Sequence, residues 1–158
     1  MDMNTKSLIE YSGLATNLPK NPYSFKHLNL RDRLSLSKDH ANIKQLVKVS
    51  AAADVINTRI IKTPKATSYD GRVLTGWGLI VENHLDLKIE YIPKLSSHSI
   101  EIVYFNIPFN AFLVLPEHFK TKSSIKVTGY IQDLFAEKID ERQIVQNTFV
   151  LLNAVMYI

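Results

Sequence analysis

The chain contains no cysteine among its 158 residues. That absence excludes disulfide frameworks, thiolate nucleophiles and cysteine-bound zinc together, and it fits a reducing compartment. No segment approaches the roughly 20 apolar residues that a membrane span needs. The longest apolar stretches, Ile107 to Leu115 and Phe149 to Ile158, are broken by Pro108, Asn110 and Asn153 and read as buried strands. Met1 to Glu10 is polar, so no secretory signal is expected there. No run reaches five like charges, and there is neither an internal repeat nor a low-complexity segment.

The composition that remains is that of a globular domain: 46% hydrophobic and 22% charged residues. A chain of this length suits one domain and buries enough surface to fold without a metal or disulfide. The net charge is +4. Its basic residues are scattered, as in Arg31 and Arg33, Lys44 and Lys48, Lys62 and Lys65, and Lys120 and Lys122. A nucleic-acid binder concentrates them on one stripe, so no nucleic-acid partner is expected.

Period-two alternation dominates the chain. In His27 to Ser37 the residues Leu28, Leu30, Leu34 and Leu36 share one phase, interrupted only by Asp32. This is a half-buried strand. Asp39 suits a helix cap, and Ile43, Leu46 and Val47 follow at helical spacing, which predicts a short helix over Asp39 to Lys48. Strands are then expected at Val55 to Lys62, Arg72 to Val81, Leu85 to Ile92, Ile100 to Ile107, Phe109 to Leu115, Ile125 to Asp133 and Gln143 to Tyr157. Tyr69-Asp70-Gly71 reads as a turn. Asn83-His84 reads as the connection of a hairpin. Pro108 marks an edge, bulge or bend, with Phe109 expected to turn into the core. The fold class is mainly β: an antiparallel β-sandwich or open barrel of about seven strands, with one short N-terminal helix. Residues 1–33 form an N-terminal arm and lead-in strand, and 34–158 the β domain.

Few residues suggest chemistry. Glu82, His84 and Asp86 can share a strand face, a set that suits metal binding or proton transfer. Polar residues also belong beside a turn, and no converging group is visible elsewhere. His27, His40, His98 and His118 show no metal-ligand spacing. Gly76-Trp77-Gly78 lies inside a strand with no helix after it, so its glycines mark a bulge or close approach and cradle no phosphate. No catalytic, cofactor-binding or metal-binding residue is assigned, and no enzyme activity or cofactor is expected. Tyr69, Trp77, Tyr91, Tyr104 and Tyr130 leave open a sugar-binding face, although such aromatics commonly serve as core or cross-strand pairs.

One ordered set of segments goes further than periodicity. It comprises LSLSKDHANIKQLVKVSAAADVINTRII from Leu34, LTGWGLIVENHLDLKIEYIP from Leu74, FNIPFNAFLVLP from Phe105 and IKVTGYIQDLFAEKIDERQIVQNTFVLLNAV from Ile125. This order resembles the SPOCS domain of spore envelope and coat proteins in endospore-forming bacteria. The likeness covers about residues 34 to 157. It implies a scaffolding role through protein–protein contacts, with other spore envelope proteins or further copies of the chain as partners. It implies no catalytic residues. A protein made in the cytoplasm, without a signal peptide, and placed in the mother-cell compartment and spore surface is the corresponding expectation. The chain resembles a single-domain version without the LysM domain that follows SPOCS copies in the family's best-known architecture. The possible assembly strand is the one carrying Leu28, Leu30, Leu34 and Leu36, added to the open sheet edge of a neighbour. The alternative function is a carbohydrate-binding module, for peptidoglycan or another glycan, with Trp77 and the tyrosines as its platform.

Overall fold

A computed structural model describes residues 9–94 and 99–157. Seven strands follow one another: β1 (Glu10–Ser12), β2 (Ser24–Ser35), β3 (Ile43–Thr67), β4 (Val73–Pro93), β5 (Glu101–Val114), β6 (Ser124–Lys138) and β7 (Gln143–Tyr157). They form a four-stranded sheet in the order β1-β3-β4-β5 and a three-stranded sheet in the order β2-β7-β6. All pairings are antiparallel except β1 on β3. The molecule is thus mainly β, as the alternation predicts, and of the sandwich and the open barrel it is the two-sheet form.

The core lies between the sheets and is built by phase. On β4, Leu79, Val81, Asn83, Leu85, Leu87, Ile89 and Tyr91 all point inward and are buried. On β7, Ile144, Gln146, Thr148, Val150, Leu152 and Ala154 do the same. Each fully buried leucine or isoleucine contributes roughly 1.5–3 kcal/mol. Leu28 and Leu30 are half-buried on the inward face of β2, whereas Leu34 and Leu36 are buried. Asp32, the one interruption of that row, accepts a 3.0 Å hydrogen bond from the Gln146 amide, and the Thr148 hydroxyl donates to Gln146 in turn. The break in the leucine pattern is therefore one end of a core hydrogen-bond network.

Three local expectations are corrected. The helix at Asp39–Lys48 is absent: β3 already starts at Ile43, and no helix occurs among the described residues. Register shifts at Ile43/Gln45 and Leu46/Lys48 insert extra residues, so Ile43, Leu46 and Val49 all face inward at a spacing of three. Two β-bulges thereby imitate a helical period. The carbonyls of Leu36, Ser37 and His40 accept hydrogen bonds from the Arg142 guanidinium, which holds the preceding loop in a non-helical shape. Secondly, Asn83-His84 is no turn. The inward phase runs unbroken from Leu79 to Tyr91, so β4 is one 21-residue strand. Thirdly, β5 passes straight through Pro108, which pairs with His84. The strand is an edge, where a missing N–H does little harm. Phe109 faces inward but is only half-buried, without the expected bend.

The two sheets meet differently at their two sides. At the β3/β6 side they approach closely: a Cβ on Gly129 would lie 3.0 Å from both the Cβ and the carbonyl oxygen of Ala53. The chain seals this side with its own N-terminal segment. β1 pairs with Lys48–Ser50 of β3, Ala15 N–H donates to the Ile131 carbonyl of β6 at 2.8 Å, and the Tyr11 hydroxyl bonds both the N–H and the carbonyl of Ala136. Gly13 makes this possible. Its φ is +99° and a Cβ there would sit 2.1 Å from the Ala51 carbonyl oxygen. At the opposite side, β2 and β5 are the facing edges of separate sheets and form no ladder.

Candidate functional site

Two concave places stand out on the described surface. The first lies at the end of the open β2/β5 side. β2 begins there with buried Ser24, whose hydroxyl donates to the Val114 carbonyl of β5 at 2.6 Å. The β3–β4 hairpin ends beside it, its turn closed by the Gly71 N–H on the Ser68 carbonyl at 3.0 Å. Between them is a groove of about 810 Å³, with Phe25, Val73, Leu74, Phe112 and Val114 among its lining residues. Phe25 and Val73 are each about half exposed, at 54% and 51%, and Tyr69 at the hairpin tip is fully exposed. Beyond Gly78 no β5 residue pairs with β4, so the hairpin end projects as a two-stranded ribbon. Of its cations, Lys65 pairs with Glu117 at 3.7 Å, Arg72 with Asp70 at 3.1 Å, and Lys62 lies over the Trp77 ring.

The second place is the outer face of the four-stranded sheet. There the register sets Ala52, Asp86 and Asn106 in one row, Asp54, His84 and Pro108 in the next, and Ser50, Lys88 and Tyr104 on the other side. Ala52 is the smallest side chain of the centre row, and a hollow of about 390 Å³ opens beside it. The Asn106 amide donates to Asp86 Oδ1 at 2.5 Å and stands 3.2 Å from His84 Nδ1. The Asp54 carboxyl is held above the usual carboxylate range, chiefly by its hydrogen bond to Asp86, then by desolvation and the Asp86 charge; the nearby His84 acts in the opposite direction. Two carboxylates side by side retain a proton more readily than one alone.

Of the residues singled out in the sequence, Glu82, His84 and Asp86 do share a face, in mid-strand. Among the described residues no three His, Asp or Glu side chains converge as a metal site. The aromatic residues do not form one platform. Tyr91 is fully buried and Trp77 packs edge-on to Phe119 at 5.7 Å, while Tyr130 lies in the other sheet; only Tyr69 and Tyr104 are largely exposed. Gly76 (φ +102°) sits opposite the Lys62/Lys65 register shift, and the Phe112 ring lies where a Cβ on Gly78 would be, so both glycines serve a bulge and a close approach. His98 lies outside the described residues. Leu28, Leu30 and Leu34 face their own core, on a strand paired along Ser24–Ser35 with β7. β2 also crosses the expected boundary between residues 33 and 34.

Sequence reasoning missed Asp54 and Asn106, which complete the His84–Asp86 cluster. Each comes from a different strand, and no spacing along the chain connects them. It also missed Phe25, whose exposure beside the hairpin end depends on the fold of residues forty or more positions away. No family model matches the chain, and no curated protein or solved structure is significantly similar to it.

Proposed function

We propose that this protein is an assembly module that binds extended segments of other protein chains, its own copies included, in the bacterial spore envelope. The observation that carries the binding mode is the apolar groove where the unpaired edges of β2 and β5 end against the β3–β4 hairpin. An open strand edge offers main-chain hydrogen bonds to an incoming strand, and flanking apolar pockets select its side chains. Phe25, Tyr69 and Val73 supply such exposed apolar surface here. The opposite side of the sandwich shows how an extended segment closes such a seam, because β1 and Leu14 do so in this chain. A contact between the hairpin end of one copy and the edge of another is heterologous, and so builds chains or rings. The spore envelope as the setting rests on the resemblance of residues 34 to 157 to the SPOCS domain.

The test is the mass of the full chain in solution by light scattering over a range of concentrations. Mass should rise above that of a monomer, and the double variant Phe25→Glu and Val73→Glu should stay monomeric with an unchanged melting temperature. Both positions are largely exposed, so the fold should tolerate the change. A double variant that associates like the parent would remove the groove from the account.

A further inference from the structure

The outer-face hollow is independent of the groove and of the assembly reading. Its polar lining carries both signs: Asp86 with its hydrogen-bonded neighbour Asp54, and Lys88. The carboxylates disfavour an anion, and the ammonium group disfavours a cation. Asn106 adds an amide whose N–H side is engaged by Asp86, while its carbonyl oxygen accepts no hydrogen bond among the described residues. Ser50 adds a hydroxyl. Beside these groups stands Tyr104, an aromatic residue 70% exposed. A ligand that suits this lining is uncharged, has several hydroxyls to give and accept hydrogen bonds, and has one apolar face to lie on an aromatic ring. The volume of about 390 Å³ is at the small end of the range for ligand sites, enough for one or two ring-sized groups.

We infer that the hollow beside Ala52, walled by Tyr104 and lined by Asp86, Lys88 and Asn106, is a binding site for a neutral saccharide. The ring face of a pyranose lies against Tyr104, and its hydroxyls bond Asp86, Lys88 and Asn106. Ala52 keeps the floor low. A longer side chain there would fill the space.

The experiment is a titration of the full chain with cellotetraose and with chitotetraose, followed by backbone amide shifts in nuclear magnetic resonance spectra. Saturable shifts are expected around Ser50–Asp54, His84–Lys88 and Tyr104–Asn106 with at least one of these neutral sugars. Tyr104→Ala and Ala52→Gln should each weaken that binding at least about tenfold, the effect of losing one well-placed contact or filling the site. Both substitutions are at exposed positions, and an unchanged melting temperature confirms that the fold is kept. Glucosamine and glucuronic acid serve as charged probes and should bind no better than N-acetylglucosamine. The inference is overturned if neither tetrasaccharide gives saturable shifts, if the shifts survive Tyr104→Ala and Ala52→Gln, or if a charged probe binds more tightly than the neutral one. None of these results changes the self-association read from Phe25 and Val73.

Discussion

The Tyr91 hydroxyl is buried between the Ala41 carbonyl, 2.7 Å away, and the Glu101 carboxylate, 2.9 Å away. Burial, with the hydrogen bond to Glu101 second, pushes its pKa up to about 12. A group whose pKa is raised on folding contributes stability that is fully present below its unfolded value, here 10.0, and is lost as pH climbs through the folded value. Urea midpoints should therefore fall between about pH 10 and pH 12, and Tyr91→Phe should flatten that fall while lowering stability at neutral pH by about 1 kcal/mol. Asn83 makes the opposite case. It sits in the inward row of β4, its amide N–H groups reach the Val81 and Phe109 carbonyls, and its buried Oδ1 has no partner among the described residues. Asn83→Val removes a desolvated polar group and is expected to raise stability by about 1 kcal/mol in denaturant melts. The burial of Leu85, Leu87, Ile89 and Tyr91 was legible in their alternation. That of Asn83 was not, because an asparagine beside a histidine has the composition of a turn, and only its parity with Val81 and Leu85 reveals the strand. Phe109 was read with the right direction and too much burial, since an edge strand covers only part of an inward ring.

Two irregular elements hold the strands in place. The loop between β2 and β3 is organised by Arg142, whose guanidinium donates to the carbonyls of Leu36, Ser37 and His40 and to Asn42 Oδ1. Arg142→Lys keeps the charge but loses the planar fork that reaches several acceptors at once. It should cost roughly 1–3 kcal/mol by thermal melting, with Arg142→Ala at the upper end. The segment from β1 to Leu14 covers the β6 edge through Tyr11, Leu14 and Ala15. Gly13→Ala forces a side chain onto the Ala51 carbonyl at an unfavourable φ, so it should release this segment and speed hydrogen exchange at Ile131 and Ala136. Exchange no faster than in the parent would show that the clasp tolerates a Cβ. Strands with clean alternation, β2 and the second half of β4, could be read directly. The start of β3 could not, because its bulges put inward residues three apart, and the contribution of Arg142 comes from a position a hundred residues away. Residues 9–23 looked aperiodic because a three-residue strand and a single bridge leave no period to find.

At the scale of the molecule, the mainly β class and a strand count near seven were readable, whereas the choice of two sheets over an open barrel and the partners of each strand were not. Pairing here is set by distance across the fold: β2 pairs with β7, more than a hundred residues on. Removing residues 1–36 deletes β2 together with the β1 clasp, and exposes the inward faces of Ile144, Thr148 and Val150. The truncated chain is expected to lose cooperative unfolding altogether, as judged by circular dichroism melts, rather than persist as a smaller folded domain. The three-stranded sheet has a further property in time. Its centre is β7, and neither β2 nor β6 has another ladder partner within it. During synthesis both must wait, unpaired, until residues 143–157 have emerged, so half of the sandwich can form only in one late step. A nascent chain stalled before Gln143 presents two amphipathic strands with free edges to every neighbour on the same message. The same order of strands thus leaves β2 and β6 without their shared partner until the last strand of the sheet has been made.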